Sequence, residues 1–174
     1  MRQLLFISLV ITGVACNNAA QLDEKSAKSD KTTAKSISSE NIRNDISVKA
    51  NGLNVQQAFL MFEDGRLVPQ DNKVEVGQKV NLRLIIEGWE AKEGKVMLGA
   101  SEKISTNEGT VILDEQDLFG SYPEGVNVAD AGVITLSAII TRVDKLFKYF
   151  EVAYRVWDKR TDESVSGSYK LYLK

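Results

Sequence analysis

Few residues in this 174-residue chain could do chemistry. It has no histidine and a single cysteine, Cys16. The serine–histidine and cysteine–histidine couples of nucleophilic catalysis are therefore missing, and so are zinc sites built from imidazole and thiolate. A Ser–Lys couple is chemically open, but no motif positions one. Carboxylates are what remains. The densest group is Asp114-Glu115-Gln116-Asp117, which could serve as a hard-cation site for calcium or as half of an acid–base pair for hydrolysis. It lacks the alternating Asp/Asn ligands and central Gly of an EF-hand loop. A solvated turn, or a helix start with acids in its first turn, is the plainer reading. No metal and no cofactor are expected. Residues 158–163 read as an exposed hairpin loop.

Aromatic residues are the other candidates, as contact surfaces rather than reactive groups. Trp89 follows the alternating run 80–86 at the outward parity, and Trp157 has the outward parity of the run 150–156. Tyr122 sits in the loop Phe119-Gly120-Ser121-Tyr122-Pro123-Glu124-Gly125. Exposed in one groove, Trp89, Tyr122 and Trp157 could stack on sugars or grip a protein. The competing reading makes each Trp a cap on an end of the core, since Trp is usually largely buried.

The elements that would position these residues read as strands. Alternation of period two marks residues 80–86, 134–140, 150–156 and 169–173. Further strands are predicted over 46–50, 58–63, 95–98 and 110–113. Turn signals separate them at Asn51-Gly52, Asp64-Gly65, Val76-Gly77, Glu93-Gly94, Asn107-Glu108-Gly109 and 120–125. Residues 114–119, 128–131 and 142–147 are each predicted to form a helical turn. About eight short strands without a long amphipathic helix indicate an all-β fold, a single β-sandwich of immunoglobulin-like topology over residues 45–174. The predicted inward set is Val80, Leu82, Leu84, Ile86, Ile134, Leu136, Ile140, Val152, Tyr154, Val156, Tyr169 and Leu171.

Ahead of this domain the composition changes. Residues 17–44 contain almost no large apolar side chains, with five basic residues against four acidic ones. Such a segment buries too little area to offset its ordering entropy and is expected to be a disordered tether. As a flexible coil it would reach about 30 Å. Before it, Arg2 and the apolar residues 4–14 have the layout of a signal peptide, too short for the roughly 20 residues of a membrane span.

The stretch Gly13-Val14-Ala15-Cys16 resembles the lipobox of bacterial lipoproteins, with Gly13 standing where that family usually has an aliphatic residue. The resemblance covers residues 1–16 only. It implies cleavage before Cys16, a diacylglycerol on the sulfur and acylation of the new N-terminus. Several acyl chains, at about 0.8 kcal/mol per buried CH₂, give stable anchoring where one does not. By the same resemblance, Asn17-Asn18 after Cys16 favours the outer membrane.

A formal charge of −2 provides no basic face for nucleic acid. Without a second cysteine no intramolecular disulfide forms, so the domain relies on its core. Three functions are compatible with these features. The first is a non-enzymatic interaction module, anchored to membrane lipid through Cys16 and contacting an envelope or extracellular protein. The second is a carbohydrate- or small-ligand-binding lipoprotein, and the third a small carboxylate-dependent hydrolase.

Overall fold

A computed structural model describes residues 41–141 and 145–174. The leader, Cys16, residues 17–40 of the tether and part of the turn predicted over 142–147 lie outside the described residues. The strands are β1 (Lys49–Asn51), β2 (Asn54–Phe62), β3 (Lys73–Val74), β4 (Lys79–Glu87), β5 (Lys95–Val96), β6 (Leu98–Thr106), β7 (Val111–Glu115), β8 (Val126–Asn127), β9 (Val133–Ile139), β10 (Phe150–Asp158) and β11 (Ser164–Leu173). One short helical turn, α1 (Val128–Ala131), precedes β9.

Alternation along these strands builds two main sheets around one core, and β5 pairs with β8 in a separate two-stranded ribbon. In β4, Val80, Leu82, Leu84 and Ile86 point inward, and in β10 Phe150, Val152, Tyr154 and Val156 do the same. β2 starts out of phase, with Val55 inward, and a bulge at Gln56 restores the parity so that Ala58, Leu60 and Phe62 also reach the core. The small sheet has the order β2-β4-β9. The large one runs β1-β11-β10-β6-β7, and β3 runs parallel to the end of β11. All twelve residues of the predicted inward set are buried.

The fold is an all-β sandwich, and its strand order is immunoglobulin-like. β2, β4 and β9 take places A, B and E, and β7, β6, β10 and β11 take places C′, C, F and G. Place D is vacant. Residues 116–132 between β7 and β9 form turns, β8 and α1 instead. β7 therefore carries the large sheet one strand further than the small one, and most of its residues are exposed on both faces.

The predicted strands are present, with two differences. β5 lies within the short strand predicted over 95–98, and β6 is a further long strand that begins where that prediction ends. Its sequence Leu98-Gly99-Ala100-Ser101-Glu102-Lys103 has little apolar alternation, yet it pairs with β10 in unbroken register from Thr106 to Leu98. Pairing to a strong neighbour overrides weak local preference. Of the predicted helical turns, 128–131 is α1. Residues 114–115 finish β7, so no helix starts there.

The fold also begins earlier than residue 45. Ile42 bridges to Ala58, and Arg43 donates its backbone N–H to the Ala58 carbonyl at 2.9 Å. Asn44 is 1% exposed. Its Nδ2 donates to the Pro69 carbonyl (3.0 Å) and to Asn72 Oδ1 (2.8 Å), and its Oδ1 accepts from the Leu60 N–H (3.2 Å). Asn72 Nδ2 returns a bond to the Asn44 carbonyl at 2.8 Å. Both asparagines sit in the left-handed region, at φ 60° and 52°, which Asn tolerates better than other side chains. This pair staples residues 42–44 along the open edge of β2. A buried amide with several partners has no replacement in alanine. Asn44→Ala is expected to lower unfolding stability by roughly 2–3 kcal/mol in urea titrations. A loss below about 0.5 kcal/mol, the size of an ordinary surface change, would show the staple to be incidental.

Candidate functional site

The structure separates the three aromatic residues. β4 ends at Glu87 because Gly88, at φ 97°, turns the chain. The outward parity predicted for Trp89 therefore does not apply. Trp89 folds back onto the core, 9% exposed, with Nε1 donating to the Ala131 carbonyl at 2.8 Å. It closes the end of the sandwich and offers no ring face to a ligand. Trp157 keeps its outward parity on β10 but lies half-buried across Gly99 of β6, where any Cβ would collide with the indole. The Arg155 guanidinium sits 5.3 Å from the centre of its ring.

Tyr122 alone is openly exposed, at 54%. Its ring lies 5.8 Å from that of Phe119, tilted by 49°. The two line a cleft of about 230 Å³ with Leu98, Val126, Val133 and Ile134, and Asp130 and Thr135 complete its rim. The cleft lies where strand D would run, between β9 and the loop over 118–127. Backbone bonds from Tyr122 N–H to the Phe119 carbonyl and from Gly125 N–H to the Tyr122 carbonyl, both 3.0 Å, fold that loop. Gly125 adopts φ 73° close against Val96, a place no Cβ fits. Leu118 N–H donates to the Ala100 carbonyl at 2.7 Å, which ties the loop to β6.

A second, more polar cleft of about 460 Å³ opens along β11. Asp45, Gln70, Asp71, Asn72, Lys170 and Tyr172 are among its walls. Asp71 forms a 3.1 Å ion pair with Lys73, and hydrogen bonds from Lys73 hold its carboxyl below the usual carboxylate range. Both Asp45 and Asp71 are exposed. Asp71, so held, is not placed to keep a proton at neutral pH as a general acid must.

The acid whose surroundings favour the protonated form is elsewhere. Glu102 lies on the inward face of β6, 3% exposed, and desolvation raises its pKa from 4.5 to about 7. Its register partners are Tyr154 on β10 and Glu115 on β7. Tyr154 donates its hydroxyl to the Ser47 carbonyl at 2.9 Å. The fully buried Tyr169 hydroxyl is raised by desolvation and by the Glu102 charge. Glu102 Oε1 and the Tyr169 hydroxyl have no hydrogen-bond partner among the described residues. The site missed from the sequence is thus a polar group sealed inside the core, on the one long strand whose pattern was illegible.

In the acidic run 114–117 the two aspartates are engaged separately. Asp114 accepts from Gln116 Nε2 and lies 3.8 Å from Lys103, while Asp117 bonds Lys159 at 2.5 Å. Among the described residues no three His, Cys, Asp or Glu side chains converge. The turn over 158–163, expected as a plain exposed hairpin loop, is structured. Asp158 is fully buried and bonded to the Arg160 backbone N–H (2.8 Å) and guanidinium (3.2 Å). Arg160 in turn donates to the Lys95 carbonyl at 2.9 Å, which clamps the neighbouring loop.

No protein-family model matches the sequence, and no curated protein matches it. Among solved structures the chain is similar to the crystal structure of the C-terminal domain of Wzt, with a TM-score of 0.50 and 12% sequence identity over 77% of this chain and 81% of that one. At that identity the likeness is one of fold, a β-sandwich.

Glu102 makes stability depend on pH. Its pKa is higher folded than unfolded, so the folded state holds the proton more tightly. Its contribution to stability is fully present below about pH 4.5 and is lost as pH rises through 7, roughly 3 kcal/mol for this group alone. Glu102→Gln is expected to flatten the decline in melting temperature between pH 5 and about 8. An unchanged slope in the variant would mean that the carboxyl is already ionised in the folded protein.

Proposed function

We propose that this protein is a lipid-anchored, non-enzymatic binding module of the bacterial envelope. Its membrane attachment is assigned to Cys16, acylated after removal of residues 1–15, with the outer membrane as the destination. The β-sandwich is the part presented to a partner, an envelope or extracellular protein. The observation that carries the binding reading is the cleft at the vacant strand-D position. There the exposed Tyr122 ring leans on the half-buried Phe119 over an apolar floor. Aromatic side chains that offer area and a polar edge are the usual anchors of contact surfaces.

The carboxylate-hydrolase reading loses support on the same geometry. General acid catalysis needs a proton held at the surface of a cleft. Among the described residues the one acid with a strongly raised pKa, Glu102, is closed inside the core, and the acids of the polar cleft are exposed. Capture of a carbohydrate or small polar ligand is the second reading. The cleft along β11 favours it, where Tyr172 stands beside Gln70, Asp71, Asn72 and Lys170.

Two measurements test the proposal. Cys16→Ala is expected to abolish incorporation of labelled palmitate and to move the protein from the membrane to the soluble fraction. Retention of the variant on membranes would reject the anchor. Crosslinking of the full chain in its native envelope is expected to give a discrete adduct with another envelope protein, reduced severalfold by Tyr122→Ala. An adduct indifferent to Tyr122 would place the contact elsewhere, and none at all would count against a module.

A further inference from the structure

A sheet edge presents unpaired backbone N–H and C=O groups, and proteins normally cover or guard it. On one side of this sandwich the edges are covered. Residues 42–44 and Val68 bond along β2. β1, Ser47 and β3 cover β11 in turn. On the other side β7 and β9 are bare among the described residues. β7 has the usual guards, two charges at Asp114 and Glu115 and a bulge in its pairing with β6. β9 has none. Its sequence Val133-Ile134-Thr135-Leu136-Ser137-Ala138-Ile139 contains no charge and no proline, and it pairs with β4 without a register shift.

The free groups on β9 can be assigned. Gly132 and Ile140 at its two ends bond the β4 side, through Ile86 N–H to the Gly132 carbonyl and Gly77 N–H to the Ile140 carbonyl. By antiparallel alternation the even residues face β4, and the N–H and C=O of Val133, Thr135, Ser137 and Ile139 face outward. Val133 and Thr135 also border the Tyr122 cleft.

The segment beside this edge is acidic, while on the β4 side the Arg83 guanidinium donates to Thr135 Oγ1 at 3.1 Å. From Val111 to Thr141 the chain contains no Lys or Arg and five acids: Asp114, Glu115, Asp117, Glu124 and Asp130. Lys103 pairs Asp114 and Lys159 pairs Asp117. Glu115, Glu124 and Asp130 have no ion-pair partner among the described residues. Asp130 stands on the rim of the cleft itself.

We infer that the β9 edge and the Tyr122 cleft together accept an extended, cationic segment of a partner protein, which takes the vacant strand-D place. Its backbone pairs with Val133, Thr135 and Ser137, a large apolar side chain fills the cleft, and flanking Lys or Arg residues meet the acidic rim. Backbone pairing supplies affinity in this mode and the side-chain pocket supplies selectivity. A second copy of the chain fits poorly, because edge-to-edge pairing would bring two acidic rims together.

This inference rests on the reading of the domain as a binding module. The probe is an acetylated, amidated nonapeptide alternating lysine and valine around a central phenylalanine, titrated by fluorescence anisotropy against the full chain in detergent. Saturable binding is expected. N-methylation of alternate peptide amides should weaken it about tenfold by removing pairing donors, and added salt should weaken it further. Tyr122→Ala should reduce affinity severalfold. Val133→Lys, which installs the edge guard that β9 lacks, should do so with the fold intact by circular dichroism. Equal binding of the N-methylated peptide, equal binding of a peptide with glutamate in place of lysine, or no saturation up to millimolar concentration would overturn the inference. A chain that ignores the peptide yet still forms the Tyr122-dependent envelope adduct would overturn the cationic strand and leave the module reading standing.

Discussion

Backbone pairing at the sheet edges is the constraint around which this structure is arranged. Laying a three-stranded sheet against a larger one leaves outer strands whose N–H and C=O groups need partners or water. The chain spends its irregular segments on one side of that problem. Residues 42–44, Val68, Ser47, β1 and β3 all close the side formed by β2 and β11, and the Asn44–Asn72 staple holds them there. The opposite side receives no such cover. There the connection from β7 to β9 makes turns and α1 instead of a strand, and the Tyr122 cleft is a consequence of that detour.

This asymmetry links the fold to the proposed use. Uncovered apolar edge is a hazard for association, and a domain that keeps one beside an aromatic cleft exposes both to a partner. Left-handed backbone at Asn44, Asp45 and Asn72 could be mistaken for strain stored at a site. For Asn44 and Asn72 the hydrogen bonds explain it as anchoring. Glu102 is likewise not a surface reagent. It sits on the strand that pairs with both β7 and β10, next to two tyrosines, and its proton is tied to the stability of the core rather than to a substrate.

Much of the sandwich was legible in the residues. β4, β9, β10 and β11 announce themselves by period-two alternation, and every residue predicted to face inward from them is buried. β6 was hidden because Gly99, Ala100 and Ser101 contribute little apolar signal. Gly99 is small for a reason that lies 58 residues away in sequence, since Trp157 lies across it. For Trp89 the reading as a cap on the end of the core holds, because the chain turns at Gly88 and parity does not extend through it. Residues 42–44 look like tether by composition, yet Asn44 is among the most buried polar residues in the fold.

What the sequence by itself determined is the class of the fold, the inward faces of its strong strands, and the lack of the residues that common catalytic and zinc sites require. These follow from local properties, the period of apolar residues and the presence or absence of side-chain types. Tertiary structure alone decided that strand place D stays empty, that β9 is the bare edge, that Tyr122 is exposed while Trp89 is not, and that Glu102 is shut in the core. Each of these depends on which distant segments meet, Asn44 with Asn72, Gly99 with Trp157, Ala131 with Trp89. Pairings between segments so far apart in the chain leave no period in the residues that make them.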